Sequence, residues 1–317
     1  MKNLTLRQLR VFAEVARHQS LARAAEHLHL SPPAVTMQIK ELESTVGLPL
    51  LNREGRRVSL TTTGEYFMVY VRRVLTTLKD ADDAMARFRG ADTGLLSIGL
   101  VSTAKYFVPR LLARFREAHP GVDVRLRVGS NREQLVAMLA AKEIDLAVMG
   151  RPPRELATRA EAFAAHPLVF VADAAHPLAT SGEPVSSRAL ANYPFIVREI
   201  GSGTRKAMQD FFDQQRIEPH VLMEMPSNET IKQAVIAGMG VSFLSLHTIG
   251  LEVQAGLLQV LDVEDTPVMR TWNLVHRLSK VLSPAAEAFR YFVLAEAEAQ
   301  LRAQDEQVLG NGGKPRQ

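Results

Sequence analysis

The residues best able to do chemistry in this chain begin with one short stretch, Ser31-Pro32-Pro33-Ala34-Val35-Thr36-Met37-Gln38-Ile39-Lys40. Ser31 is a natural helix N-cap, and Pro32 and Pro33 fall in a first turn that needs no N–H donors. Helical spacing turns Val35, Ile39 and Leu42 inward, so the outward face presents Pro33, Thr36, Met37 and Lys40 next to Ser31 and Pro32. Such a face suits the major groove of double-stranded DNA. A hydroxyl reaches a base edge, apolar groups meet a thymine methyl, and a lysine reaches a base or phosphate. Arg53, Arg56 and Arg57, on a turn just beyond, would grip the backbone or minor groove as a wing, although three arginines on one loop are also what a solvated loop carries.

A second set of residues would hold a small anion. Ser102-Thr103 ends a strand and opens a helix, bringing hydroxyls and free N–H groups to a positive helix end. Ser130 and Glu133 have capping-box spacing at another such turn, with Asn131 between them. Gly201-Ser202-Gly203-Thr204-Arg205 opens a further helix with two glycines, hydroxyls and a guanidinium, a nest for phosphate or carboxylate. Arg151, at the expected crossing between two lobes, and Arg198 add positive charge. Ordinary capping would account for any one of these turns. Their coincidence at the carboxyl ends of strands points to a cleft for an anion.

These side chains need elements to position them. Residues 4–61 read as three short helices, opened by Thr5 (with Gln8), Ser20 and Ser31, followed by a hairpin around Asn52–Arg57: a winged helix-turn-helix. From Thr62, with Glu65 at capping-box spacing, a helix runs to about Arg89. Its apolar positions Phe67, Val71, Val74, Leu78, Ala81, Met85 and Phe88 alternate steps of four and three. At 1.5 Å per residue it would be roughly 40 Å long, which favours a dimer interface over a connector buried on its own chain. Beyond Gly94, strands (95–101, 122–128, 144–148, 168–172, 195–197, 221–225, 241–244, 271–276) alternate with helices (104–118, 132–141, 203–215, 228–237, 284–303). That alternation predicts parallel α/β sheets in two lobes. The expected division is 1–61, DNA-binding; 62–92, linker and dimerisation helix; 93–305, effector domain; 306–317, disordered tail. Lobe I would take about 93–165 and 266–305, and lobe II about 166–265.

Composition narrows the field. The 317 residues are 46% hydrophobic and 23% charged, the balance of a folded globular protein. No run of 18 apolar residues predicts a membrane span, and residues 1–19 lack a secretory hydrophobic region, so a cytoplasmic location is expected. There is no cysteine, which excludes disulfides, a thiol nucleophile and Cys-ligated metal sites. The basic excess is local. Residues 1–60 carry nine basic and five acidic side chains, whereas 61–92 and 93–317 are each balanced, so the polyanion partner belongs to the first module. No P-loop, dinucleotide-binding Gly-x-Gly-x-x-Gly or Gly-x-Ser-x-Gly elbow is present, and Glu143 and Asp145 flank a strand where they serve structure. No catalytic residue is assigned. His27 and His29 point to different faces of a helix-turn, so no metal site or cofactor is expected.

The segments Leu9-Arg10-Val11-Phe12, Ser20–Ala25, Ser31–Ile39 and Leu42-Glu43 resemble those of LysR-type transcriptional regulators. The resemblance extends over the whole chain and implies an α/β architecture with an N-terminal winged helix-turn-helix, a long linker helix and a two-lobed, periplasmic-binding-protein-like effector domain. It implies a homodimer through the linker helix, commonly assembled into a homotetramer, on a partly palindromic promoter site, with RNA polymerase as a further partner. The family usually has glutamine where Pro32 stands and more often serine where Thr36 stands, so the base contacts differ here. Val101–Leu112, Asn131-Arg132-Glu133, Ile144–Pro153, Arg198…Gly201–Arg205, Ser227-Asn228-Glu229 and Ser242–Ile249 are similar to the branch that regulates Calvin-cycle (RuBisCO) operons. That branch implies activation by a phosphorylated metabolite or NADPH, and adds Asn228 to the expected effector-binding residues. A sulfur-assimilation regulator of the same family is the nearest rival. A solute-binding or enzymatic α/β protein with a helical prefix is a remote one.

Overall fold

The computed structural model describes residues 4–54, 57–86, 93–129 and 131–312. They form two compact units divided near residue 85.

In the first unit, α1 (Leu6–His18) opens with a capping box: Thr5 Oγ1 accepts from Gln8 N at 3.2 Å, and Gln8 Oε1 accepts from Thr5 N at 2.9 Å. Ser20 caps α2 (Leu21–His27), and Ser31 caps α3 (Pro32–Val46), which ends at Gly47 with φ +81°. The hairpin β1 (Leu51–Glu54) and β2 (Arg57–Leu60) is antiparallel, with Leu51 opposite Leu60. Glu43 Oε1 accepts from Leu50 N at 2.8 Å and Leu51 N at 3.1 Å, so α3 itself sets where the hairpin begins. Leu9, Phe12, Val15, Val35, Ile39, Leu42 and Leu50 fill the core.

The long helix is α4 (Thr62–Ala86). Its N-cap is Thr61, whose Oγ1 accepts from Gly64 N at 2.9 Å, and not the expected Thr62, because Thr61 Oγ1 also reaches Pro49 O at 2.8 Å and is thereby held at the helix entry. The expected seam divides. Phe67 and Val71 pack into the first unit's own core with Met68 and Leu75, while Val74, Leu78, Ala81 and Met85 remain exposed alongside Tyr66, Val69 and Tyr70. Phe88 lies outside the described residues.

The second unit contains β3 (Gly94–Val101), α5 (Val108–Ala118), β4 (Val122–Gly129), α6 (Arg132–Ala140), β5 (Leu146–Met149) and β6 (Thr158–Asp173). There follow α7 (Pro177–Thr180), α8 (Ser187–Ala191), β7 (Phe195–Arg198), α9 (Gly203–Gln215), β8 (Val221–Met225), α10 (Asn228–Ile236) and β9 (Ser242–Ser245). The chain closes with α11 (Gly250–Gln254), β10 (Leu258–Val260), β11 (Val268–Arg277) and α12 (Pro284–Gly312).

The sheets are mixed, where the sequence predicts parallel ones. β3 pairs parallel with β4 and β5, and β7 with β8, but β6 and β11 run antiparallel along ten paired positions and pass from one lobe to the other. β5 joins β11, and β9 and β10 join β6, all antiparallel. Returning strands that cross between lobes meet their neighbours head to tail. β6 is accordingly 16 residues long, where only 168–172 is predicted. Lobe I packs Leu96, Leu100, Phe115, Trp272 and Phe289, whereas lobe II packs Phe170, Phe195, Phe212 and Phe243.

The expected disordered tail is corrected as far as Gly312: α12 continues through Asp305–Gly312, because Val308 is buried in lobe II with Val169, Ile231 and Leu244. Residues 313–317 lie outside the described residues. No described helix is long and apolar enough to cross a membrane.

Candidate functional site

In the first unit, Pro32, Pro33, Thr36, Met37 and Lys40 line one shallow exposed concavity on α3, with Ser31 capping its start. Met37 is 53% exposed on this face. The Thr36 hydroxyl donates back to Pro32 O at 3.0 Å, which leaves its oxygen lone pairs as acceptors on this face. Glu41, absent from the sequence expectation, shares this face. Its Oε2 accepts from the Gln8 and Gln38 amides, each at 3.2 Å, which tempers the negative charge on this face. Arg53 and Arg57 lie on β1 and β2, Glu54 and Arg57 being paired across the hairpin; Arg56 lies outside the described residues.

In the second unit, a cleft opens between the lobes. Eight predicted residues line it: Ser102, Thr103, Asn131, Arg151, Arg198, Ser202, Gly203 and Thr204. Its polar end is the start of α9. Gly201 has φ +94°, a conformation that suits glycine, and the N-cap Ser202 makes no side-chain capping bond, so no Ser202 cap takes up the first N–H groups of this 13-residue helix. Lys206 and Arg270 bring charge to the cleft, although each also faces Asp210. Arg151, exposed at the rim, has no ion pair among the described residues.

Several expected residues do other work. Arg198 is 4% exposed and already engaged: Nε and Nη2 hold Glu199 at 2.7 and 2.8 Å, Nη1 donates to Asn228 Oδ1 at 2.8 Å, and Nη2 to Ser102 Oγ at 3.2 Å. Asn228 therefore stands behind Arg198 and does not line the cleft. Arg205 sits at an outer concavity that shares Arg151, Gly201 and Lys206 with the cleft. The N-cap of α6 is Asn131, whose Oδ1 accepts from Gln134 N at 2.8 Å; the expected capping partner Ser130 lies outside the described residues, and Glu133 faces Arg132 at 3.8 Å. Ser102 and Thr103 open a short 3-10 turn, with α5 beginning only at Val108 because Pro109 favours the helix's first turn.

Sequence reasoning misses the cleft's floor and one wall. Trp272, fully buried on β11, stacks at 4.0 Å between ring centroids on His166 of β6. Burial, then the neighbouring His247 and Arg270, holds His166 well below the ordinary histidine range, so it is neutral, and neither ring nitrogen has a hydrogen-bond partner. Trp272 Nε1 donates to His247 Nδ1 at 3.0 Å, and His247 Nε2 faces Asp305 of α12 at 3.0 Å. Arg132 braces the wall at the Arg151 loop: its guanidinium holds Glu155 at 2.9 and 3.2 Å and Arg151 O at 3.2 Å, and this hydrogen bonding takes Glu155 down to about 2. A polar residue following the helix cap at Asn131 was the one available signal for Arg132. Nothing in the sequence singles out His166.

A helix N-terminus, hydroxyls and cations converge opposite Val101, Met149, Leu168 and Trp272, which suits a small molecule with an anionic end and a short apolar body.

The comparisons agree with this geometry. Residues 6–65 match the bacterial regulatory helix-turn-helix protein, lysR family, and residues 89–298 match the LysR substrate binding domain. The HTH-type transcriptional regulator CfxR of Cupriavidus necator is 48% identical over 294 residues, covering 93% of this chain and 92% of that protein. The RuBisCO operon transcriptional regulator of Allochromatium vinosum is 49% identical over 296 residues, covering 93% and 97%. The regulatory domain of CcmR from Synechocystis PCC6803, solved in complex with 2-PG, aligns with a TM-score of 0.61 at 38% identity, covering 64% of this chain and 97% of that one. With both of its domains matched and relatives this similar along most of its length, the chain belongs to the LysR family of DNA-binding transcriptional regulators.

Proposed function

We propose that this regulator controls carbon-fixation (RuBisCO) operons in response to a small phosphorylated acid of the 2-phosphoglycolate type bound in the interlobe cleft. The observation that carries the reading is the start of α9, where Gly201, the unengaged Ser202 hydroxyl and Gly203 present free donors beside Lys206 and Arg151. The donors cluster at one end of the cleft, which favours a compact phosphorylated acid over a dinucleotide such as NADPH. Similarity to regulators named for RuBisCO operons, and to a domain solved with 2-PG, supports the same choice.

DNA would be read by Ser31, Pro32, Pro33, Thr36, Met37 and Lys40, with Arg53, Arg56 and Arg57 on the wing. The exposed apolar stripe of α4 would pair two chains, and pairs of dimers would span a partly palindromic promoter. Effector binding would favour one arrangement of the lobes over another, re-angle the dimers on DNA and alter access for RNA polymerase in the cytoplasm. Only differential affinity for the two arrangements can do this. Footprinting of the full chain on its RuBisCO promoter tests the reading: 2-phosphoglycolate should shift the protected region at a concentration that inorganic phosphate does not match. An identical footprint with and without it counts against the proposal.

A further inference from the structure

We propose that Glu14, His18 and His27 form a site for a divalent cation of the zinc class, which clamps the corner between α1 and α2 in the DNA-binding unit. Glu14 and His18 lie one helical turn apart on α1, and His27 closes α2. Both imidazoles converge on the same carboxylate oxygen: His18 Nε2 lies 3.3 Å and His27 Nδ1 3.2 Å from Glu14 Oε2. The three ligand atoms all fall within 4.8 Å of one another. With metal–ligand bonds of 2.0–2.1 Å, tetrahedral coordination places its ligands about 3.3 Å apart. Two of the three edges of such a site are therefore already formed, and the third pair of atoms lies within 4.8 Å.

The polar atoms here lack better partners. Glu14 Oε1 is taken by Arg17 at 3.4 Å, whereas Glu14 Oε2 and His18 Nε2 are shielded from solvent and have no hydrogen-bond partner among the described residues. Buried polar atoms without partners are costly, and a cation at their common focus satisfies both together. Two imidazoles and one carboxylate are the donor set of borderline divalent ions, and three protein ligands leave a position for water or a fourth donor. His27, half exposed, gives the ion a way in. The clamp has a structural reach. Gln19, next to His18, adopts φ +50°, and its carbonyl accepts from Val58 N of β2 at 3.1 Å, so fixing this corner also fixes the root of the wing.

The test uses the untagged full chain, stripped with chelator and titrated with Co2+ as an optical probe, then displaced by Zn2+. One equivalent per chain with the visible absorption of low-symmetry cobalt is expected, together with a rise in thermal stability on adding Zn2+. His27→Ala and Glu14→Gln should each lower Co2+ affinity by at least about 100-fold, the upper end of what loss of a mere orienting partner does. His27 is exposed enough for its variant to fold, and circular dichroism verifies that. Absence of stoichiometric binding, or binding that survives both substitutions unchanged, overturns the proposal.

Discussion

Arg198 and Ser102 join the two lobes across the interlobe cleft. Arg198 ends β7 in lobe II, Ser102 begins the turn after β3 in lobe I, and Nη2 donates to Oγ at 3.2 Å. Tyr106, later in the same turn, donates to Glu229 of α10, and Lys232 Nζ sits 4.9 Å from the Tyr106 ring centre. The Tyr106 hydroxyl is pushed upward, chiefly by burial, so it remains a donor at any physiological pH. The cleft is thus bordered by a latch whose charged member is already neutralised by Glu199.

The latch separates two serines that look alike in the sequence. Ser102→Ala removes a hydrogen bond to a charged group, worth about 1.5–3 kcal/mol, and should lower the melting temperature by several degrees in calorimetry. Ser202→Ala removes a hydroxyl that makes no capping bond. It should leave melting unchanged and weaken effector binding. Equal melting points for the two variants would remove the latch from the account.

His166 imposes a pH dependence with a definite sign. Its folded-state pKa is depressed below the unfolded value of about 6.5, so below that pH the unfolded chain takes up a proton that the folded chain does not. Stability should therefore fall as pH drops below about 6.5, by up to about 1.4 kcal/mol per pH unit from this group. His166→Phe keeps a ring against Trp272 and should flatten that part of the curve. A variant with the wild-type slope between pH 7 and 5 would show that other groups carry it.

On α3, Lys40→Ala should weaken binding to all DNA sequences alike and reduce the slope of log affinity against log salt by about 1. A salt titration measured by fluorescence anisotropy checks this, and an unchanged slope would place Lys40 off the phosphate backbone.

The exposed part of α4 supports a separate expectation. Val74 and Leu78 are 42% and 37% exposed on a face that its own unit leaves bare. Replacing both with glutamate should convert dimers to monomers in sedimentation equilibrium without loss of helical signal. Retained dimers would move the interface elsewhere.

Local chemistry was readable in the sequence, whereas long-range pairing was not. The caps at Thr5, Ser20 and Ser31 follow from side chains bonding to N–H groups three residues on, and the structure forms each of them. Thr158–Pro167 hides its strand character, because its charged and small residues lack alternation and its partner β11 lies a hundred residues ahead. The same distance hides the His166–Trp272 stack. Asp305–Gly312 looks like a polar tail in sequence, yet Val308 anchors it to the lobe II core and Asp305 to His247. The heptad seam of α4 is real in spacing, but its first two members serve the first unit's core.

The central claim is that the start of α9 receives the phosphate of the effector. Isothermal titration of the full chain with 2-phosphoglycolate, wild type against Ser202→Ala and Thr204→Ala, tests it most directly. The expected result is one site per chain, with affinity reduced about 10-fold or more by each substitution, as for loss of one or two hydrogen bonds to a charged group, and with DNA affinity in the absence of ligand unchanged. Wild-type affinity in both variants would contradict the account.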